Sequence, residues 1–131
     1  MVKRVITFGT FDVFHIGHIN ILERAKKQGG HLVVGVSSDQ LNFEKKHRYP
    51  VYPQDQRVRI LESLRFVDEV FIEDSLALKA KYIKQYQADV LVMGDDWAGK
   101  FNEMQQYCEV IYLPRTPSIS TSEIIEVVKA L

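Results

Sequence analysis

The chain has 131 residues, enough for one domain with a proper core, since chains of this size remove about two-thirds of their unfolded surface from water. Lys and Arg total 17 and Asp and Glu total 17, so no field of one sign covers the surface, and a general binder of nucleic acid or acidic membrane is disfavoured. With 46% hydrophobic and 26% charged residues the composition is globular, and its longest apolar runs are far shorter than the about 20 residues of a bilayer span.

The first strand is expected over residues 2–7, a stretch without the long apolar core of a secretory signal. A helix follows over 17–28, with Ile21, Leu22 and Ala25 on one face, then a second strand over 31–37. Residues 38–54 have no usable periodicity, carry Lys45-Lys46-His47-Arg48 and end in Tyr49-Pro50-Val51-Tyr52-Pro53. A connection of that length reads as a functional or disordered loop. Helix 55–64, strand 67–72, helix 75–87 and strand 89–93 come next, and a weaker segment holds one short helix at 102–106. The fifth strand, 108–113, is opened by Cys108. A single cysteine excludes an internal disulfide and a cysteine-based zinc cluster and fits a reducing cytoplasm, and its thiol reads as a small buried group. Ser120 and Glu123 have capping-box spacing before a terminal helix whose apolar stripe is Ile124, Val127, Val128 and Leu131. Strands alternating with helices predict an α/β fold with a parallel sheet, formed by residues 1–131 as a single domain.

Ligands of open parallel sheets bind beyond the carboxyl ends of the strands. There the first strand runs into Gly9-Thr10-Phe11-Asp12-Val13-Phe14-His15-Ile16-Gly17-His18. Gly17 permits close backbone approach, the helix that follows offers unpaired amides to an anion, and His15 and His18, three apart, can face one ligand. The competing reading is one histidine as a cap and the other solvated. No third histidine or cysteine has spacing to complete a metal site with this pair. A second anion site is expected at Arg115-Thr116-Pro117-Ser118-Ile119-Ser120-Thr121-Ser122, where a guanidinium, several hydroxyls and another helix N-terminus come together.

His15-Ile16-Gly17-His18 resembles the HxGH signature of the nucleotidyltransferase superfamily, which class I aminoacyl-tRNA synthetases share. The 115–122 segment resembles the RTxGISTT signature of the cytidylyltransferases that make CDP-alcohols, departing from it at Ser118 and Ser122. The family has glycine where Ser118 stands; if that glycine takes a positive φ, serine must adopt it at some cost or the loop must shift, whereas Ser122 keeps the hydroxyl. The likeness is strongest to the branch acting on glycerol phosphate and includes residues 60–70 and 92–101.

The resemblance implies a Rossmann-like domain, a five-stranded parallel sheet in order 3-2-1-4-5 with helices on both faces. It implies transfer of CMP from CTP to sn-glycerol 3-phosphate, giving CDP-glycerol and pyrophosphate, with Mg²⁺ accompanying the nucleotide, in a cytoplasmic homodimer that supplies teichoic acid or a related polymer. His15, His18 and Arg115 would be catalytic. Thr10, Phe11, Ile16, Gly17, Lys46, Asp95, Asp96, Thr116, Pro117, Ser118, Ile119, Ser120, Thr121 and Ser122 would contact the nucleotide, with Lys46 and His47 competing for one place because the loop length differs. Lys45 and Lys79 would bind the acceptor; read without the resemblance, Lys79 is a solvated helix residue. The alternatives are another acceptor or nucleotide, as in a phosphoethanolamine cytidylyltransferase or an adenylyltransferase, and a nucleotide-binding module without turnover.

Overall fold

Both faces of the central strands are buried, which is why their sequences read as continuous apolar runs rather than alternating ones. The computed structural model describes residues 2–117 and 119–131. Strands β1 (Lys3–Gly9), β2 (Gly30–Ser37), β3 (Glu69–Glu73), β4 (Val90–Gly94) and β5 (Glu109–Leu113) form one sheet, and every pairing is parallel. The order is β3-β2-β1-β4-β5, as the resemblance implied. Odd and even positions feed different cores. Val5, Leu32, Val34, Val90 and Val92 pack with Leu22 and Ala25 of α1 (Ile16–Lys27) and Leu61 of α3 (Gln54–Glu62). Ile6, Phe8, Val33, Leu91 and Met93 pack on the other face with Tyr82 and Ile83 of α4 (Lys79–Gln85).

Three local expectations change. The segment read as a loop contains α2 (Asp39–Lys46), begun by Ser38, whose hydroxyl accepts from the Leu41 amide at 3.0 Å, and closed by His47 at φ 57°. Only Leu41 and Asn42 of this helix are buried, so it has almost no apolar period to read. The expected strand at 67–72 starts two residues later, because the Asp68 side chain turns back to accept from the Leu32 amide at 2.8 Å. The expected helix at 75–87 is a one-turn 3₁₀ segment, Leu76–Leu78, followed by the shorter α4. The short helix at Asn102–Gln106 is present as a 3₁₀ segment. The terminal helix is α5 (Thr121–Lys129), but its stripe is not core: Val127 is 65% exposed, Val128 61% and Leu131 99%.

Arg57, on α3, has no exposed surface. Its guanidinium donates to the carbonyls of Tyr52, Thr10 and Ser37 at 2.9, 2.9 and 2.7 Å and to Asp39 Oδ1 at 2.7 Å. One side chain thus ties the residues just beyond β1, the end of β2, the start of α2 and the chain entering α3. Arg57→Met should cost about 3–5 kcal/mol in urea unfolding, because Asp39 and three carbonyls lose their donor in a buried place. A loss below about 1 kcal/mol would show that water replaces the guanidinium there.

Candidate active site

A cavity of about 750 Å³ opens at the carboxyl ends of the strands, where β1 and β4 lie side by side and the winding direction reverses. Segments following all five strands reach its wall: Thr10 after β1, Lys45 after β2, Leu76 after β3, Asp96 after β4 and Arg115 after β5.

The turn after β1 is strained. Phe11 and Val13 hold φ of 54° and 46°, a region that costs a β-branched residue energy. Asp12 between them, 8% exposed, over-determines the turn by accepting from the amides of Val13, Val51 and Tyr52 at 3.0, 2.7 and 2.8 Å. The same carboxylate therefore anchors the basic connection to the histidine turn.

The two histidines cap α1 together. His15 Nδ1 accepts from the Gly17 amide at 3.0 Å, and His18 Nδ1 accepts from the His15 amide at 3.2 Å, a capping box built from imidazoles. Both cap, so the reading of one cap and one solvated ring is superseded. A ring whose Nδ1 accepts carries its hydrogen on Nε2 when neutral, which leaves each Nε2–H as the free donor. The rings stack at 3.8 Å between centroids, and His18 also lies 5.2 Å from Phe14. Gly17 is required by this packing, since a Cβ there would come within 2.8 Å of His15 Cε1.

Burial, the neighbouring His15 and the Arg115 guanidinium hold His18 down to about 3, and burial with Arg115 lowers His15 as well. Neutral donors stack without repulsion, where two imidazolium rings would repel.

The second anion segment leans on the first. Thr121 Oγ1 donates to the Asp12 carbonyl at 2.8 Å, Ser120 Oγ accepts from the Glu123 amide at 3.1 Å, and Asn20 Nδ2 donates to Thr116 Oγ1 at 3.0 Å. Arg115 is half exposed, its only described acidic neighbour being Asp96 at 3.6 Å, so the guanidinium remains open to a stronger anion. Lys45, Lys46 and Arg48 also line the cavity, whereas His47 is the left-handed cap of α2 and lies off its wall.

Lys79 is not solvated. It is 4% exposed and donates at 2.5 Å to Glu73 Oε2, on a residue 1% exposed. Burial lowers Lys79 from the usual ammonium range, and Glu73 pulls it part of the way back.

Thr10, Phe11, His15, Gly17, His18, Lys45, Lys46, Lys79, Asp96, Arg115, Thr116, Ile119, Ser120, Thr121 and Ser122 all reach the cavity. Ile16, 53% exposed, Asp95 and Pro117 do not: each is an exposed residue turned off the wall. Ser118, and with it the expected backbone change there, lies outside the described residues. Residue reading placed Arg48 in the basic loop without assigning it a contact, and missed Asp12, Glu73 and Arg57. An acid in the histidine turn was a signal for Asp12, but a lone arginine in an amphipathic helix carries none for Arg57.

The depressed His18 has a consequence for stability. Its folded value lies below the 6.5 of an unfolded histidine, so its contribution is full above 6.5 and is lost as pH falls from 6.5 toward 3. In urea unfolding across that window, His18→Gln should lose less stability than the parent protein. Parallel curves for the two proteins would mean that His18 titrates normally in the fold.

The chain matches the cytidylyltransferase-like family over residues 6–127. It is 50% identical to the glycerol-3-phosphate cytidylyltransferase of Bacillus subtilis over 130 residues, covering 98% of this chain and 99% of that one. It is 46% identical to the glycerol-3-phosphate cytidylyltransferase of Staphylococcus aureus, covering 93% and 92%. Among solved structures, the lipopolysaccharide core biosynthesis protein of Thermoplasma volcanium shares the fold with a TM-score of 0.75 at 23% identity, over 88% of this chain and 99% of that one. With the paired histidines, the arginine-led segment and the strand order on record, the chain belongs to the cytidylyltransferase-like family.

Proposed function

We propose that this protein transfers CMP from CTP to sn-glycerol 3-phosphate, forming CDP-glycerol and pyrophosphate. The observation that carries the reading is the imidazole capping box, two neutral Nε2–H donors and a helix N-terminus at the mouth of a cation-rich cavity. The names of its near full-length relatives supply the nucleotide and the acceptor.

A phosphate oxygen of the acceptor attacks the α-phosphorus of CTP in line; that P–O bond forms as the bond to the bridging α–β oxygen breaks, and pyrophosphate leaves. The attacking oxygen is already anionic, so no general base is needed, and the protein's work is placement and charge stabilisation. His15 and His18 donate from Nε2 to oxygens of the α-phosphate and the leaving group. Being neutral, they give hydrogen bonds without competing for the cations. Arg115 offers a planar fork to the triphosphate in place of Asp96, and the amides opening α5 at Ser120, Thr121 and Ser122 face the same anion. Thr121 spends its hydroxyl hydrogen on Asp12, so its part is to hold this segment against the histidine turn. Lys46 and Arg48 serve the nucleotide phosphates, and Lys45 with Lys79 serves the acceptor.

No group of three or more metal-ligating side chains is found among the described residues, Asp12 is engaged by three amides and Glu73 by Lys79. Asp96 is the cavity-wall carboxylate left half exposed. This donor set fits Mg²⁺ carried by the triphosphate, with Asp96 as its protein contact, rather than a metal held by the protein alone. When bound, the ion would neutralise charge on the phosphates. No helix of the described residues is long and apolar enough to cross a membrane, and the proposal places the enzyme in the cytoplasm. It also includes a homodimer, in which a second copy covers the apolar residues exposed on α5.

Pyrophosphate release should be measured for each nucleoside triphosphate against a panel of phosphorylated alcohols. CTP with sn-glycerol 3-phosphate should exceed every other pair by at least about tenfold. Faster turnover with another acceptor would replace the substrate, and no turnover with any pair would leave a binding module. His18→Ala should lower kcat by about 10²-fold or more, the scale of one lost donor at developing charge, with a smaller change in CTP affinity. An unchanged kcat would reduce His18 to a helix cap.

A further inference from the structure

Glu73 ends β3, and Lys79 begins α4 six residues later. Their pair is buried on the cavity wall, with side-chain exposures of 1% and 5%. The Lys79 ammonium also sits 4.1 Å from the centroid of the Phe8 ring and 5.1 Å from that of Phe101, and Trp97 lies 5.4 Å from Phe101. Leu76, Trp97 and Phe101 extend the wall around it. A carboxylate framed by aromatic faces is the constellation that receives an alkylammonium ligand. Here the protein's own side chain fills that place.

An acceptor whose phosphate attacks beside the histidines must send its alcohol portion along the wall. If that portion ends in an ammonium group, it meets the Lys79 cation, and Lys45 nearby, while the Glu73 carboxylate is already paired. A neutral hydroxyl meets an N–H donor in Lys79 and an acceptor in Glu73, of which the described hydrogen bonds engage Oε2 alone. The two outcomes differ in sign, not in fit: an –OH and an –NH₃⁺ group are of similar size.

We propose that the Glu73–Lys79 pair, set against Phe8 and Phe101, selects the acceptor by charge, admitting uncharged polyol phosphates and excluding amino-alcohol phosphates. The inference rests on the cytidylyl transfer proposed above and adds Glu73 to its specificity determinants. Lys79 acts here as a built-in occupant of an ammonium site, and Glu73 as the residue that keeps it there.

The test uses two acceptors that differ only in the terminal group, 2-hydroxyethyl phosphate and phosphoethanolamine, as competitors of sn-glycerol 3-phosphate turnover by the wild-type enzyme. The hydroxyl compound should compete at least about tenfold more tightly, as expected where a buried polar site is left mismatched by the wrong group. Equal competition would overturn the proposal whatever the variants do.

In Lys79→Met the carboxylate and rings are vacated. The ratio of kcat/KM for sn-glycerol 3-phosphate to that for phosphoethanolamine should fall by about 100-fold, with a gain in the second as well as a loss in the first. The double variant Glu73→Gln with Lys79→Met avoids a lone buried carboxylate. It should lose glycerol phosphate activity without gaining phosphoethanolamine. A gain in the double variant as large as in the single one would remove Glu73 from the selection, and an unchanged ratio in a folded Lys79→Met would reduce the pair to a structural tie. Absence of any turnover of sn-glycerol 3-phosphate by the wild type is a different failure: it removes the transfer reaction itself, and the selection with it.

Discussion

The end of the sheet that carries the chemistry is held by one guanidinium without solvent contact. Arg57 binds carbonyls on either side of the β1–β2 pair, at Thr10 and Ser37, and fixes Asp39 at the start of α2. Strand ends in an open sheet leave carbonyls unpaired, and buried carbonyls need donors. A planar five-donor group answers several of them at once, which an ammonium could not do in the same geometry. The strained backbone at Phe11 and Val13 begins directly after Thr10, so the unfavourable φ angles are tolerated where the chain is pinned from two directions, by Arg57 and by the amides around Asp12.

From that anchored turn the electrostatics of the cavity follow. The chain as a whole is neutral, yet Lys45, Lys46, Arg48, Lys79 and Arg115 share one cavity. Such clustering concentrates positive potential where a triphosphate and a second phosphate would have to coexist. Placing two imidazolium rings in the same place would add repulsion between stacked groups, and burial beside Arg115 removes that charge from both. The histidines are left as directed hydrogen-bond donors and the lysines and arginines as the source of charge, a division of labour suited to a reaction whose charge moves from one phosphate oxygen to another.

Less holds α5 than holds the other helices. None of its residues is fully buried, and its described ties to the rest of the site include a single hydroxyl on the Asp12 carbonyl and the Ile125 side chain on the cavity wall. A segment with few buried contacts opens at low free energy cost, and Arg115 before it is half exposed, 3.6 Å from Asp96.

Periodicity carried the β/α alternation and the helix face of α1, because both reflect burial against a flat sheet, a constraint that repeats along the chain. The histidine and arginine motifs were legible for a related reason: their chemistry is local, a cap and a turn within a few residues. Other features depended on partners far away in sequence. Helix α2 exists because Asp39 and Asn42 find Arg57, Ser37 and Ser38, not because its own residues form an apolar face. Lys79 looked solvated because nothing in helical spacing reveals a carboxylate at the end of the neighbouring strand or the rings of Phe8 and Phe101 beside it. The stripe of α5 reads as core by period and is exposed, since amphipathicity records that a face is apolar, not what covers it. Local chemistry and repeating burial are written in the order of residues, whereas long-range polar pairing is decided only when distant segments meet.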